Sequence, residues 1–425
     1  MQNRRTFIQA TAITGVAATL ARSVSAAEDF PKGKAKHCIM IWLGGGACQI
    51  DTFDPKRVGD PKTRKPGSNY AAIDTAIKGT QVSEHLNHCA KVLDRFNIVR
   101  TCNHKGFPDH AAATNVHTGR ATSGTIVYPS IGSLITHSRG PINDQIPPYI
   151  LIGYPNVSRG PGYLGPKSGY VYLTDTESGP SSFTRDSSVN SARQARREKL
   201  LADLKKGYVG RNKQHQAIQD YDQAIEEALR LSGPDFKRVF ALNEEPDDLR
   251  NSYGSEFGQR CLLARRLCQA GVRFVEVSHN MNFVNGSGWD THRQGQLKQH
   301  LLIQDLDKSL ATLVTDLEQH KMLDKTLIVV ATEFGRPAGW DGGGGRNHHM
   351  AAFSMVLAGG GLKNGLTIGQ TDELGMKILD EPVSIPDFHA TIACAMGVDP
   401  SEELYAGERP IPITDRGKPI RRLFA

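Results

Sequence analysis

Carboxylates and imidazoles gather at four places in this sequence, each just after a predicted strand or at a predicted helix start. Asp51 and Asp54 stand in "QIDTFDPK", Asp109 and His110 in "PDHAAATNVHTG", and Asp290 and His292 in "GWDTH". Glu333, Arg336, Arg346, His348 and His349 share the stretch "TEFGRPAGWDGGGGRNHHM". Carboxylate oxygens mixed with imidazole nitrogens suit borderline divalent metals such as zinc, manganese or iron. Two apart on a loop, Asp290 and His292 can converge on one ion, and His348 or His349 can complete its shell. His348 is preferred because it stands closer to the glycine turn. Asp51 is preferred over Asp54, because "FDP" is also a common turn that Asp54 can cap. Taken singly, a histidine near a glycine loop is more often a surface residue, and it is their joint placement that points to a metal. Glycine-rich flanks let the backbone fold closely around whatever these residues hold.

The elements that must position them alternate. Apolar runs at 37–43, 97–102, 149–154, 272–277, 326–334 and 352–361 read as strands. Helical periods appear at 108–119, 256–271, 300–323 and 385–398. "TLIVVATEF" is nearly continuous in its apolar character, as in a parallel strand covered on both faces. The expected fold is α/β, a mostly parallel central sheet with helices on both faces. Ligands of such sheets bind beyond the carboxyl ends of the strands, where the polar clusters lie. One domain is expected over 37–425, with 155–250 as a loop and helical insertion. Within it, 155–190 is rich in Gly, Ser, Pro and Tyr and lacks a helical period, whereas 190–231 is charged, alanine-rich and helical.

Composition narrows the class. The chain of 425 residues is 39% hydrophobic, enough for a substantial core. Its 51 basic and 44 acidic residues give a formal charge of +7 without a concentrated basic and aromatic face, so nucleic-acid binding is not expected. Residues 3–9, "NRRTFIQ", precede an apolar stretch and the small-residue segment "SVSAA". This is the pattern of a twin-arginine (Tat) signal peptide over residues 1–27, and it predicts periplasmic or secreted protein exported in folded form. The apolar run of about a dozen residues falls short of the roughly 20 that a membrane span needs, and no stable span is expected. Seven cysteines form no metal-ribbon spacing, and their odd number leaves at least one thiol free or paired between chains.

The order of motifs resembles the alkaline phosphatase superfamily. "FVEV", "WDTH", a long helix and "VVATEFGR" follow as a strand ending in a carboxylate, an Asp/His metal pair, a helix and a strand ending in a metal-binding acid do there. "PDHAAATNVHTG" resembles the nucleophile helix of those phosphatases, and "IPDFHATIACAMGVDP" looks like the late helix shared with sulfatases. More closely, the chain from about residue 37 resembles a bacterial secreted family, often Tat-exported, that is grouped as a domain of unknown function inside that superfamily. The resemblance implies an alkaline-phosphatase-like fold and a hydrolase of phosphate or sulfate esters with one or two divalent ions, zinc or manganese. It would place Asp290, His292 and His348, with His349 adjacent, around one ion, and Asp51 and Glu333 around the other. Glu276 would be an outer carboxylate, and Arg336 and Arg346 would contact the substrate anion.

The sequence also departs from that pattern. His110 stands where a phosphatase carries its nucleophilic Ser or Thr, and is open to three roles: metal ligand, nucleophile or general base. Thr114, one helical turn on, is a fallback nucleophile. No Cys-x-Pro-x-Arg occurs, which excludes formylglycine chemistry. Phe334 stands where phosphatases place a metal-binding His, Glu333 replaces their Asp, and the 290/292 pair is more closely spaced than theirs. A catalytically inactive binding or scaffold protein is the alternative, and an interaction role for the 190–231 helices is a third. Substrate and oligomeric state are not legible.

Overall fold

A computed structural model describes residues 30–107, 109–154, 157–174, 176, 189–231, 236, 238–279, 288–292 and 295–425. The expected signal peptide lies outside the described residues. Among the described residues, nine strands form the central sheet: β1 (His37–Trp42), β2 (Phe96–Asn103), β3 (Tyr149–Ile152), β4 (Val171–Leu173), β5 (Phe274–Ser278), β6 (Thr326–Ala331), β7 (Phe353–Gly359), β8 (Thr367–Ile368) and β9 (Val383–Ser384). Their order is β8-β2-β7-β6-β1-β5-β3-β4, with β9 also on β2. All pairings in it are parallel except those of β7, which runs antiparallel to β2 and β6.

The principal helices are α1 (Asp109–Thr118), α2 (Ile131–Arg139), α3 (Ser191–Arg211), α4 (Gln216–Leu231), α5 (Glu256–Ala270), α6 (Gly295–Gln319) and α7 (Ile385–Ala395). Both faces of the sheet are covered, as the apolar character of its strands requires. In β1 the pleat sends Ile39 and Ile41 into one core with Leu262 of α5 and Leu306 and Leu310 of α6. Cys38, Met40 and Trp42 enter the other, with Leu134 of α2 and Phe388 and Ile392 of α7. Local signals fix the helix ends. The Ser255 side chain accepts from the Gly258 N–H at the start of α5, and Gly271 ends that helix at φ 111°, a conformation glycine adopts without strain. Ser384 and Asp387 form a capping box on α7.

One expectation is corrected. The loop expected from residue 155 includes a strand, because β4 pairs in parallel with β3 at the sheet edge. Three residues, of which Tyr172 is exposed, are too short for a period-2 pattern to register. All seven cysteines are buried and free.

Candidate metal centre

Three strand ends meet at one rim. In register, Trp42 of β1 stands beside Ser278 of β5 and Ala331 of β6, so the loops leaving these strands begin at one level. Hydrogen bonds then tie the loops together. The Thr332 hydroxyl donates to the Leu43 carbonyl at 3.0 Å and accepts from the Ala47 N–H at 2.9 Å. The Trp289 N–H reaches the Gly44 carbonyl, and the Arg346 N–H reaches that of Thr291. Gly335 and His349 exchange two backbone bonds of 2.9 Å, which bring the glycine-rich loop back to the end of β6.

Asp290, His292 and His348 converge at this rim, each offering a ligand atom within 4.8 Å of the others. Asp290 Oδ1 lies 3.2 Å from His292 Nε2 and 3.5 Å from His348 Nε2, and the two imidazole nitrogens are 3.0 Å apart. Donors about 2.0–2.1 Å from a tetrahedral ion stand about 3.3 Å from one another, so this triangle matches one face of a zinc-type shell. Side-chain exposures of 29% for Asp290, 38% for His292 and 19% for His348 leave the cluster reachable from solvent. Burial works against charge on Asp290, but hydrogen bonding with His348 and Arg336 outweighs it and holds the carboxyl at about 2.

The surroundings orient this triad. Asp341 accepts the Gly343 and Gly345 N–H groups on Oδ1 and turns Oδ2 toward His292 Nδ1, 3.6 Å away. Phe334 stacks on His348 with ring centroids 4.1 Å apart. Arg336 Nη2 lies 2.6 Å from Asp290 Oδ1.

The other expected site residues have the following partners. Arg336 and Arg346 are both fully buried. Besides Asp290, Arg336 donates to the carbonyls of Gly45, Gly46, Trp289 and Arg346. Arg346 donates to Gly67, Pro337 and Ala338, lies over the Trp340 ring, and has Nε 3.4 Å from Asp51 Oδ2. Asp51 is buried and its Oδ1 accepts the Asn69 N–H at 2.6 Å. Glu333 accepts the Gly45 N–H at 2.6 Å, and burial raises its carboxyl above the ordinary value. His349 turns its Nε2 to the Met376 carbonyl at 3.0 Å. Thr114 is half-buried on α1, where its carbonyl accepts the Thr118 hydroxyl. The side chains of Asp109 and His110 lie outside the described residues.

Glu276 sits in a buried polar network of its own. Oε1 accepts from Arg159 Nε at 2.5 Å and faces His117 Nε2 at 3.2 Å, and Oε2 accepts from the Tyr149 hydroxyl at 3.1 Å. Burial disfavours its charge, yet Arg159 and then His117 hold the carboxyl down at about 2. Arg159, His117 and Asp341 went unmarked in the sequence. Only Asp341 carried a signal, as an acid inside the glycine loop.

Residues 35–424 match the family described as protein of unknown function, DUF1501. The chain belongs to that family. No curated protein matches the sequence. Among solved structures, the phosphonate monoester hydrolase of Silicibacter pomeroyi is similar at 12% identity and a TM-score of 0.41, over 92% of this chain and 76% of that one. The lipoteichoic acid synthase of Listeria monocytogenes is similar at 11% identity and 0.39, over 89% and 76%. A sulfatase from a Pseudoalteromonas species is similar at 13% and 0.38, over 86% and 68%. At these scores the likenesses assign no activity to the chain.

Proposed function

We propose that this protein is a metal-dependent hydrolase of phosphate or sulfate esters, of the alkaline-phosphatase type, and that it is exported through the Tat route. The observation that carries the reading is the triangle of Asp290 Oδ1, His292 Nε2 and His348 Nε2, with edges of 3.0, 3.2 and 3.5 Å and open to solvent. Three protein donors with a free fourth position are the pattern of catalytic rather than structural zinc sites. The order of motifs along the chain supports the same class. When bound, a divalent ion at such a site supplies Lewis-acid polarisation of an ester oxygen and an acidified water.

The chain's own residues prepare that site. Asp290 is kept anionic by the hydrogen bonds it shares with His348 and Arg336. Arg336 orients this carboxylate from a guanidinium fixed on backbone carbonyls, Asp341 faces the outer nitrogen of His292, and Phe334 restrains the His348 ring. Such outer partners set the direction and basicity of ligand side chains. A second ion, at Asp51 and Glu333, rests on the resemblance alone, and both carboxylates now accept backbone N–H groups.

The test is metal analysis of folded, exported protein and of Asp290→Ala, followed by a panel of phosphate and sulfate esters. The reading expects a bound divalent metal that is lost in the variant, together with ester turnover; the measured stoichiometry decides between one ion and two. Metal-free protein with an intact fold would defeat it, and metal without turnover would leave the inactive binding protein.

A further inference from the structure

Helix α3 buries none of its residues. Its inner side, with Leu201, Lys205 and Val209, lines a cleft toward α4, where Lys205 pairs with Asp222. The adjoining exposed side is built differently. Arg193, Arg197, Leu200, Leu204, Tyr208 and Arg211 follow at steps of three or four residues and so share one face, about 27 Å long at 1.5 Å per residue. All six are exposed, and the three apolar ones keep 60%, 69% and 55% of their surface in solvent. Arg196 stands beside this strip with Asp203, while Lys199 and Lys206 lie further round the helix and Lys206 also lines the cleft. In the whole helix seven basic residues stand against two acidic ones.

We propose that this face docks on an anionic bilayer surface. The charge selects the partner's sign, since the exposed arginines at both ends of the strip and Arg196 beside it attract negative groups. A second copy of the helix is disfavoured, because parallel and antiparallel pairing alike oppose arginine to arginine. Long basic side chains beside a short apolar stripe suit an interface, where Leu200, Leu204 and Tyr208 enter the acyl boundary and the Arg stems reach back to the headgroups. Attachment is peripheral, for no described helix is long and apolar enough to cross a membrane. An acidic protein groove is the competing occupant. It is less favoured because the strip is convex and offers a spread of like charge rather than a pattern of donors and acceptors.

The experiment is flotation of the full chain with vesicles of phosphatidylglycerol and phosphatidylcholine, and with phosphatidylcholine alone. Binding is expected only to the anionic vesicles and weakens with salt. Arg193→Glu with Arg197→Glu should lower the affinity by about thirtyfold or more, at unchanged melting temperature because both positions are exposed. Leu200→Gln with Leu204→Gln should weaken binding while keeping its salt dependence. No flotation with anionic vesicles, or flotation indifferent to the charge reversal, overturns the proposal. So does binding to polyglutamate, but not to the vesicles, that needs Leu200 and Leu204, since it assigns the face to an acidic polypeptide.

Discussion

Arg336 Nη2 lies 2.6 Å from Asp290 Oδ1, joining a guanidinium with no solvent exposure to a carboxylate that also faces two imidazoles. The same guanidinium donates to carbonyls of Gly45 and Gly46 after β1, Trp289 after β5 and Arg346 in the glycine loop. One side chain therefore fixes the mutual position of the segments that carry the metal-type triad. Its planar fork of five donors is what makes that possible.

Arg336→Lys tests this. A lysine brings three donors on a point charge and leaves buried carbonyls without partners, so a loss of about 3 kcal/mol in urea unfolding is expected. Metal affinity should fall by about ten- to hundredfold, the range typical for partners that orient ligands. A variant unchanged in both measurements would remove Arg336 from the role of positioning residue.

The adjacent histidines should separate cleanly. His348 Nε2 points to the triad, whereas His349 Nε2 faces the Met376 carbonyl, and burial lowers its imidazole. His348→Ala is expected to weaken zinc binding by about hundredfold or more, and His349→Ala by no more than a few-fold, in titration against a chromogenic chelator. Equal losses would contradict the assignment.

Much of this was legible in the sequence. Apolar runs with a carboxylate in or just after them announced β1, β5 and β6, and nearness to the glycine turn pointed to His348 rather than His349. What escaped has physical reasons. β4 is too short to show a period, and Arg159 reaches Glu276 across 117 residues of chain, a pairing that no local pattern encodes. The resemblance to the alkaline phosphatase superfamily implied anion contacts for Arg336 and Arg346. Their full burial on backbone carbonyls depends on how three separate loops pack.

Gly45 carries a requirement of its own. At φ 112° a Cβ would stand 2.3 Å from the Asp290 nitrogen and 2.8 Å from the Trp289 carbonyl carbon. Both are backbone atoms and cannot rotate away. Gly45→Ala should cost about 2 kcal/mol or more in unfolding free energy and displace Asp290 from the triad. Zinc titration reads the displacement, and retention of wild-type affinity would show that the loop yields elsewhere.

The Glu276 network predicts an acid limb of stability. Its folded carboxyl lies at about 2 against an ordinary 4.5, so below pH 4.5 the unfolded chain binds the proton that the folded chain refuses. Its contribution is complete above about pH 4.5 and is lost as pH falls through about 2, and it amounts to roughly 3 kcal/mol. Glu276→Gln should be less stable at neutral pH by about 3–5 kcal/mol, because Arg159 loses its counter-charge in a buried site. Its urea midpoint should also fall less steeply than that of the wild type between pH 4.5 and 2. Many other carboxylates titrate in that window, so the difference between the two curves is the quantity that isolates Glu276. If the curves ran parallel there, the carboxylate would not be held ionised by its buried partners Arg159 and His117.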